Sequence, residues 1–366
     1  MIPVIVYRER YLPHSETFIY EQLIHMKKYK PYVLCRSKLP SAKDFPYPHV
    51  YRLKDVPQLT RQLQRLKAKC IYARFGTGGV RMLHLKARTK LPLLTSFHGS
   101  DVSRQLQIKP YYRRYLPLLF KKGDAFTVVC EYMRNKLIHL GCSPEKIHIV
   151  KSGIDLHKFP YLAHSKPSTD QIRILSVGRL TEKKGMLDLI RAFQLVLAMI
   201  PNAKLIIAGD GEERWKIEQL INQFGLGSHI ELKGRLPHSQ VQEEMARCDL
   251  LVMASRTASD GNEEGIPNVV MEAMATGRIV IATEHAGIPE LVHHHQTGFL
   301  VQQGDPDALA AMIIYVLKHV EDWTSITVSA RNKVEHEHDV VKQAAKLEKL
   351  MDELITCTTL SYSSNS

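Results

Sequence analysis

The feature that most limits what this 366-residue chain can become is its regular alternation of short apolar runs with helix-like stretches. VIVY, YVLC, CIYARF, LPLLTSF, AFTVV and IHIVKS read as strands in the first half; IRILSVG, AKLIIAG, HIELKG, LLVMAS, RIVIAT and GFLV do so in the second. Segments 185–200, 212–224, 239–247 and 307–318 read as helices between them. Ser239 with Gln242 fits a capping box, and Asp305-Pro306 fits an N-cap followed by proline at the first helical position. Strand–helix alternation predicts parallel sheets covered on both faces, and there is enough of it for two. The length agrees, because it exceeds what a single core comfortably supports. The expected linker is DLHKFPYLAHSKPSTDQ, residues 155–171. Doubly wound sheets bind ligands at the carboxyl ends of their strands, so the chemistry-bearing motifs belong there.

Charge divides the chain at the same place. Residues 1–160 hold 30 Lys and Arg against 10 Asp and Glu, a net of +20, whereas residues 161–366 hold 20 against 27, a net of −7. A basic half of this kind faces an anionic partner. The segment KPYYRRYLPLLFKKG (109–123) mixes tyrosines and leucines with Arg113, Arg114, Lys121 and Lys122, and RQLQRLKAK (61–69) adds more cations. Such segments sit on anionic membrane surfaces or form a basic solvated helix. No helix-turn-helix, RNP or zinc pattern accompanies them, so nucleic acid is not the expected partner. No apolar run is long enough for a membrane span. MIPVIVYRERY has no basic region before its apolar run, so the expectation is a cytoplasmic protein without a signal peptide. The six cysteines are scattered, without C-x-x-C or zinc spacing, and read as reduced, packed thiols.

Three stretches carry chemistry. In SVGRLTEKKG (176–185), Arg179 leaves a strand end and Lys184 precedes a helix, a combination suited to a diphosphate. In EEGIPNVVMEAMATG (263–277), Glu264 lies in a loop and Glu272 inside the helix that begins near Pro267. Two carboxylates suit glycoside hydrolysis, but a neighbouring diphosphate cradle favours a nucleotide-sugar site, where carboxylates accept from sugar hydroxyls. In FHGSD (97–101), His98 stands at a strand end, where cleft residues belong, although a lone histidine is often structural. AGDGEE (208–213) holds only half a dinucleotide fingerprint and reads as a tight turn. HAGIPELV (285–292) repeats the turn-to-helix device, and His293-His294-His295 after it reads as an exposed loop, not a metal site.

These motifs resemble the large retaining glycosyltransferase family 4, in order and spacing, over roughly residues 10–320. The E-x7-E pattern runs from Glu264 to Glu272, and the G-R-x4-K-G motif from Gly178-Arg179 to Lys184-Gly185; HGSD, SGIDLHKF, GIPELV and TGFLV also match. PHSETFIYEQL (13–23), YARFG (72–76) and DGNEEGIP (260–267) resemble the colanic-acid and exopolysaccharide branch. Arg74 stands where that branch often has histidine, and Asn262 where it often has aspartate.

The resemblance implies a GT-B fold: two facing Rossmann-like domains, 1–160 for the acceptor and membrane and 161–335 for the nucleotide-sugar donor, with a cleft between them. A helix over 336–356 crossing back to the first domain and a disordered tail, 357–366, complete the expectation. The resemblance further implies that Arg179 and Lys184 bind the donor diphosphate and that Glu272 accepts from the ribose. Glu264, helped by backbone amides around Gly265–Asn268 in the donor-binding stretch Gly265, Ile266, Pro267 and Asn268, contacts the transferred sugar, and His98 sits beside that sugar. No metal or cofactor is implied; the donor is a UDP- or GDP-sugar. The expected activity is a retaining transfer to a lipid-linked or polysaccharide acceptor at the inner membrane face. The rivals are a GT-B epimerase or phosphorylase and an inactive GT-B module that binds membrane or polysaccharide.

Overall fold

Thirteen strands carry the framework of the described residues: β1 (Ile2–Tyr11), β2 (Tyr29–Lys38), β3 (Val50–Arg52), β4 (Ile71–Arg74), β5 (Leu93–Ser96), β6 (Ala125–Val128), β7 (Ile147–Ile149), β8 (Ile172–Val177), β9 (Ala203–Ala208), β10 (Ile230–Gly234), β11 (Leu250–Met253), β12 (Ile279–Thr283) and β13 (Phe299–Val301). The computed structural model describes residues 1–13, 16–55, 59–163 and 171–363. His14 and Ser15 of PHSETFIYEQL, residues 164–170 of the expected linker, and the last three residues of the tail lie outside the described residues.

The strands form two sheets, ordered β3-β2-β1-β4-β5-β6-β7 and β10-β9-β8-β11-β12-β13. Their ladders are parallel. Each is a doubly wound order whose direction reverses beside its first strand, at β1/β4 and at β8/β11. β3 escapes sequence reading because it is three residues long, lies at the sheet edge and has two exposed side chains. The helices at 186–199, 214–223, 238–247 and 306–318 fall near their expected places. Asp305 caps the last of them by accepting from the Ala308 N–H at 2.9 Å. The capping box at Ser239 does not form: that helix starts at His238 with Pro237 as N-cap, and Gln242 donates instead to the Lys158 carbonyl.

The chain divides into two units, Met1–Asp155 with His338–Ser366, and Leu156–Glu337. The first boundary falls before the expected 160/161 junction because residues 159–162 are fastened to the second unit. The Phe159 carbonyl accepts from Arg331, the Leu162 N–H donates to Thr276, and the Tyr161 hydroxyl lies 3.1 Å from Thr327 Oγ1. The second boundary separates two helices, Trp323–Glu337 and Val340–Ser363, where one was expected over 336–356. Between them His338 is fully buried, with Nδ1 2.8 Å from the Ser152 carbonyl, and Asp339 pairs with Ile154. The final helix adds Leu347, Leu350 and Met351 to the core of the first unit, and its Glu348 accepts from the N–H groups of Lys28 and Tyr29. The expected irregular tail from 357 is helical to Ser363. Its threonines do not break the helix, since Thr356 and Thr358 donate to the carbonyls four residues back.

The basic helix Pro110–Lys122 buries Tyr112, Leu116, Leu119 and Phe120, so its apolar face belongs to the first unit's own interior. Arg113, Arg114, Lys121 and Lys122 point outward with Tyr111 and Leu118. Five cysteines are buried, Cys357 is exposed, and all six are free. His293, His294 and His295 are exposed. Among the described residues, no helix is long and apolar enough to cross a membrane.

Candidate active site

In the second unit the motifs gather at the carboxyl ends of the two central strands. Past the end of β8, the chain makes a short 3-10 turn, Glu182–Lys184, and enters the helix Met186–Met199 through Gly185. Gly185 has φ of 63°, and a Cβ there would lie 1.8 Å from the Ala254 carbonyl oxygen, so no other residue fits. The loop after β11 is stitched to this turn. Arg256 N–H donates to the Lys183 carbonyl (2.9 Å), Ser259 Oγ to Glu182 (2.6 Å), and Lys183 Nζ to the Glu263 carbonyl (3.2 Å).

That stitching delivers Glu264 between two ammonium groups. Its Oε1 lies 2.9 Å from Lys184 Nζ and 3.2 Å from Lys183 Nζ, and all three side chains are about nine-tenths buried. Burial alone would raise the Glu264 pKa, but the charges of Lys184 and Lys183 outweigh it and hold the carboxyl well below its ordinary range. Burial lowers the pKa of Lys183, and Glu264 opposes that shift. Arg179 is exposed, and its guanidinium makes no hydrogen bond or ion pair among the described residues. Gly265, Ile266 and Pro267 are buried and lead into the helix Asn268–Thr276, which has Pro267 as N-cap and no side-chain cap. Glu272 is buried on that helix, with Oε1 3.2 Å from His238 Nε2. The Gly287 turn opens a helix of only four residues, Ile288–Leu291.

His285, just past β12, fixes the backbone of this loop. Its Nε2 accepts the Glu264 N–H at 3.1 Å, so that nitrogen carries no proton. Its Nδ1 then donates to Gln303 Oε1 at 3.0 Å, and the same oxygen accepts the Thr257 N–H. Burial lowers the His285 pKa, in keeping with a neutral ring.

His98 belongs to the first unit, at the end of β5. Its ring lies between Phe18 and Phe75, at centroid distances of 5.0 and 4.9 Å, and its Nε2 is 3.0 Å from Ser96 Oγ. Burial, and then the charges of Arg74 and Arg8, push its pKa well down. Asp101 is fully buried and joins the loops after β4 and β5 by accepting from the N–H groups of His98 (2.9 Å) and Gly76 (3.0 Å). Burial lifts its pKa to about 6 against those two donors.

The structure thus brings Glu264 and Lys184 into direct contact. It pairs Glu272 with His238 and puts His98 in the other unit. Sequence reading missed Lys183, His238 and His285. His285 carries the same signal that marked His98, a histidine just past a strand end; Lys183 was hidden by its neighbour in the EKK run.

Comparison with known proteins finds glycosyltransferases. The model of the glycosyl transferases group 1 family matches residues 161–353, and that of glycosyltransferase family 4 matches residues 19–158. The amylovoran biosynthesis glycosyltransferase AmsK of Erwinia amylovora is 35% identical over 257 residues, 69% of this chain and 63% of its own length. The putative colanic acid biosynthesis glycosyltransferase WcaL of Salmonella typhimurium is 34% identical over 274 residues, 74% of this chain and 67% of its own. Anabaena HepE, crystallised with UDP-glucose, superposes over 96% of this chain and 100% of its own at a TM-score of 0.80 and 20% identity. Sucrose-phosphate synthase from Thermosynechococcus elongatus does so over 98% and 100% at 0.79 and 18%. These two likenesses fix the fold as GT-B. The chain belongs to the group 1, family 4 glycosyltransferases, of the type found in exopolysaccharide synthesis.

Proposed function

We infer that this protein is a retaining glycosyltransferase, moving a sugar from a UDP- or GDP-sugar to a lipid-linked or polysaccharide acceptor in cell-surface polysaccharide synthesis. The observation that carries the reading is the buried Lys183–Glu264–Lys184 cluster with Arg179 exposed nearby in the same motif. Support also comes from relatives named for amylovoran and colanic acid biosynthesis and from a structural neighbour bound to UDP-glucose.

In this reading a diphosphate offers Lys184 and Arg179 more charge than one carboxylate does. Lys184 turns toward the phosphate while Lys183 keeps Glu264 in place. Glu264 then accepts from hydroxyls of the transferred sugar. Glu272 accepts from the ribose, and the amides around Gly265–Asn268 face the phosphates. The acceptor oxygen bonds to the anomeric carbon on the face from which the diphosphate departs. The sugar–phosphate bond breaks, and the acceptor proton passes to the departing phosphate. Stabilising that developing charge is the main task, and the two cations perform it without a metal, so a chelator leaves the rate unchanged. The role at the transferred sugar falls to His98 by resemblance. The working site is cytoplasmic, with the basic first unit peripheral on the inner membrane face.

Thermal-shift screening against UDP-, GDP-, ADP- and dTDP-sugars identifies the donor, because binding stabilises the folded state. With that donor radiolabelled, Lys184→Ala and Glu272→Ala are expected to abolish transfer while circular dichroism stays native. Full activity in both variants would overturn the reading.

A further inference from the structure

A cation removed from water needs a counter-charge close by. Arg74, the last residue of β4, is 2% exposed and has none. Its Nη1 donates to the Tyr72 hydroxyl at 2.6 Å and to Gln22 Oε1, both neutral, and its Nε is buried without a partner. The faces of Tyr72 and Phe18 flank the guanidinium, at 5.2 and 5.7 Å. Glu16, the carboxylate whose field reaches it, is held by Arg8, whose Nε lies 2.9 Å from Glu16 Oε2. No carboxylate among the described residues lies within ion-pair distance of Arg74.

This guanidinium lines a pocket contained within the first unit. Ser96, His98 and Lys151 share the wall, and the lining includes no aspartate or glutamate. The backbone beside Arg74 is strained: Phe75 has φ of 66° with ψ of 148°, a conformation that costs a residue with a Cβ about 1–3 kcal/mol. Strain of this kind persists where the surroundings over-determine it, and here Phe75 packs on His98 and under the Arg8 guanidinium, 4.2 Å from its centroid. A buried guanidinium with two neutral hydrogen-bond partners, in a pocket whose lining holds no acid, offers one chemistry, that of a planar fork for an oxyanion.

We propose that this pocket binds an oxyanion, a phosphate or carboxylate carried by the acceptor, seated on Arg74 with Ser96 and His98 as neutral neighbours. Only the assignment to the acceptor rests on the transferase reading; the anion site stands on the geometry of the first unit. Phosphate would come from a prenyl-diphosphate-linked acceptor and carboxylate from a uronic acid.

Calorimetric titration of the native protein and of Arg74→Gln with geranyl diphosphate, with glucuronate and with UDP tests this. At least one of the two acceptor-like anions is expected to bind the variant tenfold or more weakly, while UDP affinity stays within twofold. Loss confined to geranyl diphosphate identifies a phosphate acceptor, and loss confined to glucuronate identifies a uronic acid. Equal affinity of native and variant protein for both anions overturns the proposal. Arg74→Met supplies an independent readout. Without anion it should melt above the native protein, because an uncompensated buried charge is gone; a lower melting point would mark Arg74 as structural and also overturn the proposal. If no nucleotide sugar stabilises the native protein, the transferase reading fails while the anion titration still decides the pocket.

Discussion

In the second unit one buried carboxylate, Glu264, lies between two ammonium groups, whereas in the first unit one buried guanidinium, Arg74, lies between two neutral oxygens. Both stand in loops or strand ends at the carboxyl side of a parallel sheet, next to the point where strand order reverses. The first arrangement pairs each of its charges inside the protein, with one positive charge in excess, and holds a loop in shape. The second is incomplete. Among the described residues, the same fold therefore holds one buried charge cluster with an internal counter-ion and one buried cation without any.

The largest expected effect breaks the complete arrangement. Glu264→Gln leaves Lys183 and Lys184 buried without an anion and should lower stability by about 3–5 kcal/mol, read from denaturant melts. Because Arg74→Met should move stability the other way, equal losses in the two variants would erase the contrast. Next, His285→Ala removes the acceptor of the Glu264 N–H and of a buried ring network, costing about 1–3 kcal/mol. In kinetics it should raise the donor KM, and His285→Asn should recover part of the loss; a variant with unchanged KM would show that the histidine only fills space. For the charge split, Arg114→Ala should weaken binding to anionic vesicles by about 1 kcal/mol and leave donor KM alone. A changed KM with unchanged vesicle binding would move the membrane contact elsewhere.

The smallest effect is in pH. His98 and His285 have depressed pKa values in the folded protein, so below the ordinary histidine value the unfolded chain binds more protons. Their contribution is present at neutral pH and is lost as pH falls below about 6.5. Asp101 acts oppositely: with its pKa raised to about 6, its contribution is lost as pH rises through that value. Melting temperatures should therefore decline below pH 6.5, and less steeply in His285→Gln. An identical slope in that variant would place the titration elsewhere.

The sheets and the loop-and-helix placement of Glu264 and Glu272 were legible because hydrophobic period and turn chemistry are local properties. The short β3 was not, since Val50–Arg52 gains its strand character from pairing with β2. What Lys184 touches was equally hidden. A lysine before a helix announces affinity for an anion, but only tertiary structure shows that Glu264, eighty residues later, already supplies one. Arg74 could be read as a departure from the family pattern, yet its lack of a carboxylate depends on Glu16 being taken by Arg8.

The return of the chain at His338 sets an order of assembly. The first unit is started before the second but lacks Leu347, Leu350 and Met351 until its last helix is made, after the whole of Leu156–Glu337. At ordinary synthesis rates that wait is about 10–40 s, during which a partly open basic domain is exposed while the second can close. A chain truncated after Glu337 would hold that stage, and limited proteolysis should cut it within 1–155 and spare 156–337. The domain started first is finished last, so a lesion in the final helix would be felt as misfolding of the N-terminal half.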